Sequence, residues 1–378
     1  MRTFFIQAWE GLIVTSEMIR HLYLHIPFCT HICPYCAFAK TRNLSAQIKV
    51  YLGALRQEMD WARKQFQVHP DTIFWGGGTP TALSPTQLEE LFQYWPWQAE
   101  REFTIEANPE TITSKKADLL LKKGITRVSL GVQAFDQATL QTLGRTHERS
   151  TVKRVMKILR DSGHQNISID LMFNVPGQRE DQWVQSIEQA IELNPEHLST
   201  YNLTYEEDTE FYEKLSSGQW QDDDEKGNEF YHLVMERLDA AGYRQYEISN
   251  FAKPGYECLH NQSIWEGHDY LGLGTGAVST ISNQRRKNPG QIDAYAQHVA
   301  SGMGAWEENE VIDEGKREEE QILLGLRTSQ GIPFQIISGH AETVDDLRQE
   351  GYILNQSGQI TLTRKGRVVV DEITKLLI

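Results

Sequence analysis

The sequence is poor in cysteine, in positive charge and in long apolar runs. It has four cysteines in 378 residues, three of them crowded at Cys29, Cys33 and Cys36. That is no disulfide framework of the kind that staples small secreted domains, so the chain reads as a protein of a reducing, cytoplasmic compartment. Lysine and arginine number 37 against 52 aspartates and glutamates, a formal net charge of -15. That is the wrong sign for general nucleic-acid binding, which needs a basic surface to displace counterions. It leaves room for a small basic pocket around an anionic ligand. No apolar run approaches the roughly 20 residues that span a bilayer. The opening stretch MRTFFIQAWEGLIVTSEM is broken by Glu10 and has no small-residue cleavage site, which makes it a poor secretory signal. Residues 1–17 read either as a loose extension or as the product of a start assigned upstream of Met18. Residues 1–19 are therefore set apart as an N-terminal extension.

What the chain does have is a repeated alternation. Strand-like stretches RHLYLHI (20–26), TIFW (72–75), EFTIEA (102–107), RVSLGVQ (127–133), ISIDLMF (167–173) and HLSTYNLT (197–204) alternate with stretches of helical apolar spacing. Ser84 with Pro85, and Thr113 ahead of a run ending in Gly124, are helix start and stop signals. Six strand-then-helix units imply a parallel sheet with right-handed crossovers, a partial barrel or a doubly wound sheet. Downstream, 222–242 reads as a helix with acids at its start, and 254–280 as a Gly- and aromatic-rich loop. Residues 318–327 read as a helix, and two short strands around 355–359 precede a final helix over 364–377, which together suggest a small winged-helix-like module.

The unusual residues gather at the carboxyl ends of the strands, where parallel α/β folds bind ligands. Cys29–Cys36 follow the first strand and Gly76–Thr81 the second. Glu106, Gln133 and Asp170 lie at or near the ends of the next three. Three thiols in a C-x3-C-x2-C loop leave a four-ligand metal site one short. Either His25 or His31 completes a zinc site, or a [4Fe–4S] cluster keeps one iron open to an outside ligand.

That loop, with Tyr35 just before its third cysteine, and the glycine run GGGTPT resemble the radical S-adenosylmethionine (SAM) superfamily. The resemblance implies a partial (β/α)6 TIM-like barrel over residues 20–245, with a smaller C-terminal α+β region over 246–378. It implies a [4Fe–4S] cluster on Cys29, Cys33 and Cys36 whose open iron binds SAM. The stretches YLHIPFC, IEANPE, SLGVQAF, LGRTH, IDLMFNVPGQ and YEISNFAKPG narrow it to the oxygen-independent coproporphyrinogen III oxidase-like family. Matched position by position, Tyr23, Tyr35, Gly77, Gly78, Thr79, Glu106, Gln133, Arg145 and Asp170 become SAM-pocket residues. Glu106 and Asp170 suit ribose hydroxyls or the SAM amino group, and Arg145 suits its carboxylate.

The family has two branches. In the decarboxylating enzymes the cluster motif runs on to a further cysteine, where this chain has Phe38, and a longer region precedes the first strand. Both features here resemble the haem chaperone branch. In that branch an H-N-x-x-Y-W motif includes a histidine implicated in haem binding, which makes His260 of HNQSIW the candidate haem ligand. Ile264 stands where tyrosine is usual, and Val278 where the family often has histidine. The resemblance thus implies haem as cargo, apo-haem proteins as acceptors, a reductant such as flavodoxin or ferredoxin, and peripheral membrane association only through acceptors. The alternative it leaves is a dehydrogenase that turns two propionates of coproporphyrinogen III into vinyl groups.

Overall fold

The computed structural model describes residues 18–302 and 304–378. Strands β1 (Met18–Ile26), β2 (Gln67–Gly77), β3 (Glu102–Ala107), β4 (Arg127–Gln133), β5 (Ile167–Phe173) and β6 (His197–Asn202) pair in parallel, each with the next. The helices expected between them are present: α1 (Ser45–Gln65), α2 (Pro85–Tyr94), α3 (Ser114–Lys122), α4 (Arg149–Asp161) and α5 (Glu180–Glu192). Their starts obey local chemistry. Ser84 and Gln87 form a reciprocal capping box on α2, and the Thr113 side chain caps α3. After β6 the chain runs through helix α6 (Asp224–Ala240).

Sequence alone ends the barrel at residue 245, but the sheet runs on. Strands β7 (Arg244–Glu247) and β8 (Asn250–Ala252) add an antiparallel edge beyond β6. Strand β9 (Leu271–Leu273) returns to pair in parallel with β1. The result is one nine-stranded sheet in the order β9-β1-β2-β3-β4-β5-β6-β8-β7, an open partial barrel. The stretch 254–280, expected as loop, instead holds the two-turn helix α7 (Leu259–Trp265), β9, and the start of β10 (Val278–Ile281). Glycine is needed inside it. A side chain at Gly274 (φ +92°) would meet the His25 carbonyl oxygen at 2.5 Å, so the turn closes against β1 only without one.

Strands β10, β11 (Gln284–Lys287) and β12 (Glu308–Val311) form a small antiparallel sheet. Helices α8 (Ile292–Ala300) and α9 (Glu314–Arg327) follow β11 and β12 respectively. The C-terminal module comprises β13 (Ile332–Pro333), α10 (Ala341–Gln349), β14 (Ile353–Gln356), β15 (Gln359–Leu362) and α11 (Val370–Leu377). Its final helix is not continuous. Val369 departs from helical geometry and separates Arg364–Val368 from α11. Arg327 bonds Asp371 at 3.0 Å and Arg364 bonds Asp239 at 2.6 Å, fastening the module to the barrel. Of the expected extension 1–19, only Met18 and Ile19 fall among the described residues, and both belong to β1.

The sheet has two unlike faces. Leu22, Leu24, Ile26, Ile73, Trp75, Phe103, Ile105, Val128, Leu130, Ile167 and Ile169 alternate along the strands and pack with the helices in one core. The opposite, concave face carries His21, Tyr23, His25, Thr72, Glu102, Glu106, Arg127, Ser129, Asp170, His197 and Ser199. Register brings these side by side, with His21 beside Thr72, Thr72 beside Glu102 and Asp170 beside Ser199. Parallel strands usually read as apolar on both faces. A polar concave face is the mark of a barrel that holds something.

One buried carboxylate ties the returning segment to the barrel. Glu58 of α1 accepts hydrogen bonds from the Tyr295 hydroxyl (2.6 Å), the Gly274 amide (2.7 Å) and the Asn288 side chain (2.7 Å). Burial pushes its carboxyl up to about 7 against these bonds. A carboxyl raised in the folded state contributes stability that is fully present below its ordinary value and lost as pH climbs through the raised one. The unfolding midpoint is therefore expected to fall between pH 5 and 8. Glu58→Gln, neutral throughout, is expected to flatten that slope in thermal melts, and an unchanged slope would remove Glu58 as its source.

Candidate functional site

The cysteine loop leaves β1 at Ile26 and closes against the glycine run at the end of β2. The amide of Gly78 donates to the Ile26 carbonyl and that of Thr79 to the Phe28 carbonyl, both at 2.9 Å. Gly78 is needed for that closeness, because an added Cβ would lie 2.7 Å from the Pro27 carbonyl and 2.9 Å from Cys29 Sγ. Gly77 has φ +114°, and a side chain there would strike the His25 ring. The run makes room for the cysteine loop and for the His25 ring.

All three cysteines of the loop are free thiols, Cys29 buried and Cys33 and Cys36 half-buried. The Thr79 hydroxyl lies 3.9 Å from Cys29 Sγ, and Arg145 Nη1 lies 3.6 Å from Cys33 Sγ. Lys40 Nζ reaches the Cys36 carbonyl. Burial pushes the Cys29 thiol up to about 11, partly offset by Thr79, and burial also raises Cys36. Thiols in this state give up their protons only to a bound cation. Among the described residues no three Cys, His, Asp or Glu side chains converge on one ion. Cys36 and Cys33 both act electrostatically on Cys29, so the three thiols stand near one another, and such a set suits a multi-iron cluster, in which each thiolate takes its own iron. The donor set therefore fits a [4Fe–4S] cluster.

Beside the loop stand the polar ends of β2 to β5. Arg145 Nη2 donates to the Gly131 carbonyl at 2.6 Å and to Asn108 Oδ1 at 2.8 Å, while its Nε is buried without a partner. Burial opposes its charge, and the Glu110 carboxylate favours it. A cation with a spare N–H suits an anionic ligand group. The Gly77 amide donates to Glu106 Oε2 at 3.1 Å. Burial, and then Asp170, push the Glu106 carboxyl up to about 8. Asp170 accepts from Ser129 (3.1 and 3.2 Å) and Ser168 (3.3 Å), and burial raises it too. Gln133 sits at φ +68°, a strained setting for a non-glycine residue and a frequent mark of a functional site. The Tyr23 hydroxyl lies 3.1 Å from His25 Nδ1, and Tyr35 packs on Phe211. Among the expected SAM residues, Glu106 thus sits between the Gly77 amide and Asp170, Arg145 beside Cys33, and Tyr35 against Phe211.

His260 is elsewhere. It lies on α7, which plugs the opposite, amino-terminal end of the barrel, and it is 1% exposed. Its Nδ1 is 2.8 Å from Thr72 Oγ1, and Thr72 Oγ1 is 2.9 Å from His21 Nδ1. One hydroxyl has one proton, so at most one of the two imidazoles can accept from it; the other donates its Nδ1–H and leaves its Nε2 as a bare lone pair. His260 Nε2 is buried with no partner, and burial followed by His21 holds the ring neutral, its pKa lowered to about 3. The expected loop thus holds a helix that buries His260.

The residue that seats α7 is one that sequence reasoning passed over. Glu102, at the start of β3, accepts from the amides of Leu259 (2.9 Å) and His260 (3.1 Å), and from Cys258 Sγ (3.4 Å). Cys258 is fully buried there, as a packing residue. A polar thread joins the two ends of the barrel: Asp170 to Ser168, Ser168 to His197 at 2.8 Å, His197 to Tyr246 at 2.7 Å, and the Cys258 amide to Tyr246 at 3.1 Å. The strict alternation of RHLYLHI and RVSLGVQ was the available signal for this inner face.

Comparison with known proteins agrees with this geometry. The radical SAM superfamily profile matches residues 23–190. A protein of Bacillus subtilis (strain 168) named heme chaperone HemW is 36% identical over 94% of this chain and 98% of its own length. HemW of Escherichia coli (strain K12) is 38% identical over 69% of this chain and 70% of its own. HemW of Lactococcus lactis is 33% identical over 91% and 93%. Among solved structures, the coproporphyrinogen III oxidase HemN of E. coli, a radical SAM enzyme, matches with a TM-score of 0.82 over 96% of this chain and 91% of that one. At 23% identity that likeness establishes the fold. The chain belongs to the radical SAM superfamily and, within it, to the HemW family.

Proposed function

We propose that this protein is a haem chaperone that holds a [4Fe–4S] cluster on Cys29, Cys33 and Cys36, binds SAM beside it, and delivers haem to acceptor proteins. The observation that carries the reading is its identity, at 36% over 98% of the relative's length, to a protein named as a heme chaperone. When bound, a cluster with three thiolate ligands supplies an open iron position and a source of single electrons. The chain's own residues do the rest. Arg145 offers its unpartnered Nε to a carboxylate while sitting on Cys33. Glu106 and Asp170 present acceptors to amino and hydroxyl groups, and Gly78 keeps the cysteine loop against the basin. Apo-haem proteins as acceptors, flavodoxin or ferredoxin as reductant, and a cytoplasmic setting complete the proposal. Among the described residues no helix is long and apolar enough to cross a membrane.

Phe38 is 69% exposed at the rim of the loop, where the decarboxylating branch has its additional cysteine. Haemin titrated into anaerobically reconstituted protein is expected to bind saturably, one per chain, by its Soret band. With coproporphyrinogen III, SAM and dithionite, no protoporphyrinogen is expected. Absence of saturable haemin binding overturns the chaperone reading, and turnover at an enzymatic rate replaces it with the decarboxylase.

A further inference from the structure

The difficulty His260 presents is also a clue. A haem iron cannot reach its Nε2 while α7 is seated on Glu102 and Thr72. A second histidine stands outside the plug. His268, three residues beyond α7, is exposed and stacks on His21 with ring centroids 5.6 Å apart and planes 5° from parallel. His21 in turn shares Thr72 with His260. Neither ring nitrogen of His268 has a hydrogen-bond partner among the described residues. Its imidazole is therefore held in orientation by stacking, with its nitrogens free to bind a metal.

His268 opens onto a cleft of about 390 Å³ between α7, β10 and α9, within the range of small-molecule sites. Trp265, Tyr270 and Ile312 give it aromatic and apolar walls. Its acids are all engaged. Glu320 is held by Arg285 at 2.7 and 2.9 Å, Asp269 accepts the Ser282 amide at 3.0 Å, and Glu266 accepts from Gln330 at 3.3 Å. Arg317 on the same wall has no partner for its guanidinium among the described residues. A metal-binding imidazole, a flat aromatic wall and one spare cation complement an iron tetrapyrrole with a carboxylate edge.

We propose that this cleft is the loading site for haem, with His268 as the first iron ligand and Arg317 as the partner of a propionate, ahead of any contact with His260. The proposal rests on the haem reading above and specifies where that ligand lands. His260 then stands behind the loading site, linked to it through Thr72 and His21, and is reached only when α7 lifts from Glu102.

The test is a haemin titration of the reconstituted full chain, read at the Soret band, with metal-free protoporphyrin IX as a parallel probe. His268→Ala is expected to weaken haemin binding at least tenfold and to shift the Soret maximum, while leaving protoporphyrin IX binding unchanged, because only the iron bond is lost. Arg317→Glu is expected to weaken both probes severalfold. His260→Ala is expected to weaken haemin less than His268→Ala does. If the unaltered chain binds haemin and His268→Ala binds it equally well with the same spectrum, this inference is overturned and the haem reading stands. If the unaltered chain shows no saturable binding, both fall. An equal loss of both probes in His268→Ala would also overturn the ligand role, since it would mean a collapsed cleft.

Discussion

Replacing Cys29, Cys33 or Cys36 by alanine is expected to give anaerobically purified protein that is colourless and nearly free of iron, against about four irons per chain for the unaltered protein. In such a cluster each thiolate serves a separate iron, so losing any one leaves an iron without its protein ligand. The fourth cysteine gives the internal control. Cys258→Ala should keep its iron, because that thiol is fully buried against Glu102 at the other end of the barrel. The glycine run supplies a second route to the same loss. In Gly78→Ala the new methyl would lie 2.7 Å from the Pro27 carbonyl and 2.9 Å from Cys29 Sγ. Because the obstruction is backbone, the cysteine loop itself must move, and iron content should fall by more than half. Iron and acid-labile sulfide assays with the visible spectrum decide both. A brown Cys33→Ala protein with full iron content would refute the assigned ligands, and zinc at one per chain in the unaltered protein would refute the cluster.

Glu102→Ala is expected to be the most destabilising single change in the barrel outside the cysteine loop, by about 3–5 kcal/mol in urea unfolding, the scale for removing one partner of a buried charged group. Three things lose their acceptor together: the amides of Leu259 and His260 and the thiol of Cys258. Arg127 loses a counter-charge as well. Burial works against that guanidinium, and the carboxylates of Glu102 and Asp170 favour its charge. Glu102→Gln retains one oxygen acceptor and should lose roughly half as much. Because α7 is then poorly seated, limited proteolysis should cut first near 254–268, and His260 should become reactive to histidine-modifying reagents. A Glu102→Ala protein as stable as the unaltered one, with α7 still protected, would mean that apolar packing rather than this carboxylate holds the plug.

These two experiments address the two ends of the barrel, and the ends differed in how readable they were. The cluster end was almost wholly legible. Cys29, Cys33 and Cys36 are neighbours in the chain, Gly76–Gly78 is one run, and Glu106, Gln133 and Asp170 lie at or near the ends of strands whose apolar alternation marks them. A short loop after a strand can be placed from sequence because its anchor is local. The α7 end was not legible. HNQSIW was recognisable as a motif, but its Gly- and aromatic-rich surroundings read as loop, and its histidine as an accessible ligand. The contacts that seat this helix and bury His260 join residues far apart in the chain, His260 to Thr72 across 188 positions and Leu259 to Glu102 across 157.

A parallel α/β sheet, three clustered thiols after its first strand, and a resemblance to radical SAM proteins of the haem chaperone branch are all legible in the amino-acid order alone. Local periodicity and close motif spacing encode those facts, and both survive without knowledge of the fold. It took the folded chain to show that the sheet's concave face is a polar, hydrogen-bonded interior, that Leu271–Leu273 returns to extend it, and that Glu102 seats the plug. The fold also separated a buried His260 from an exposed His268 eight residues on. Those distinctions depend on strand register and on which side chains a closing barrel brings face to face. A one-dimensional pattern fixes which residues are polar, but burial and partnership arise only when distant strands pair.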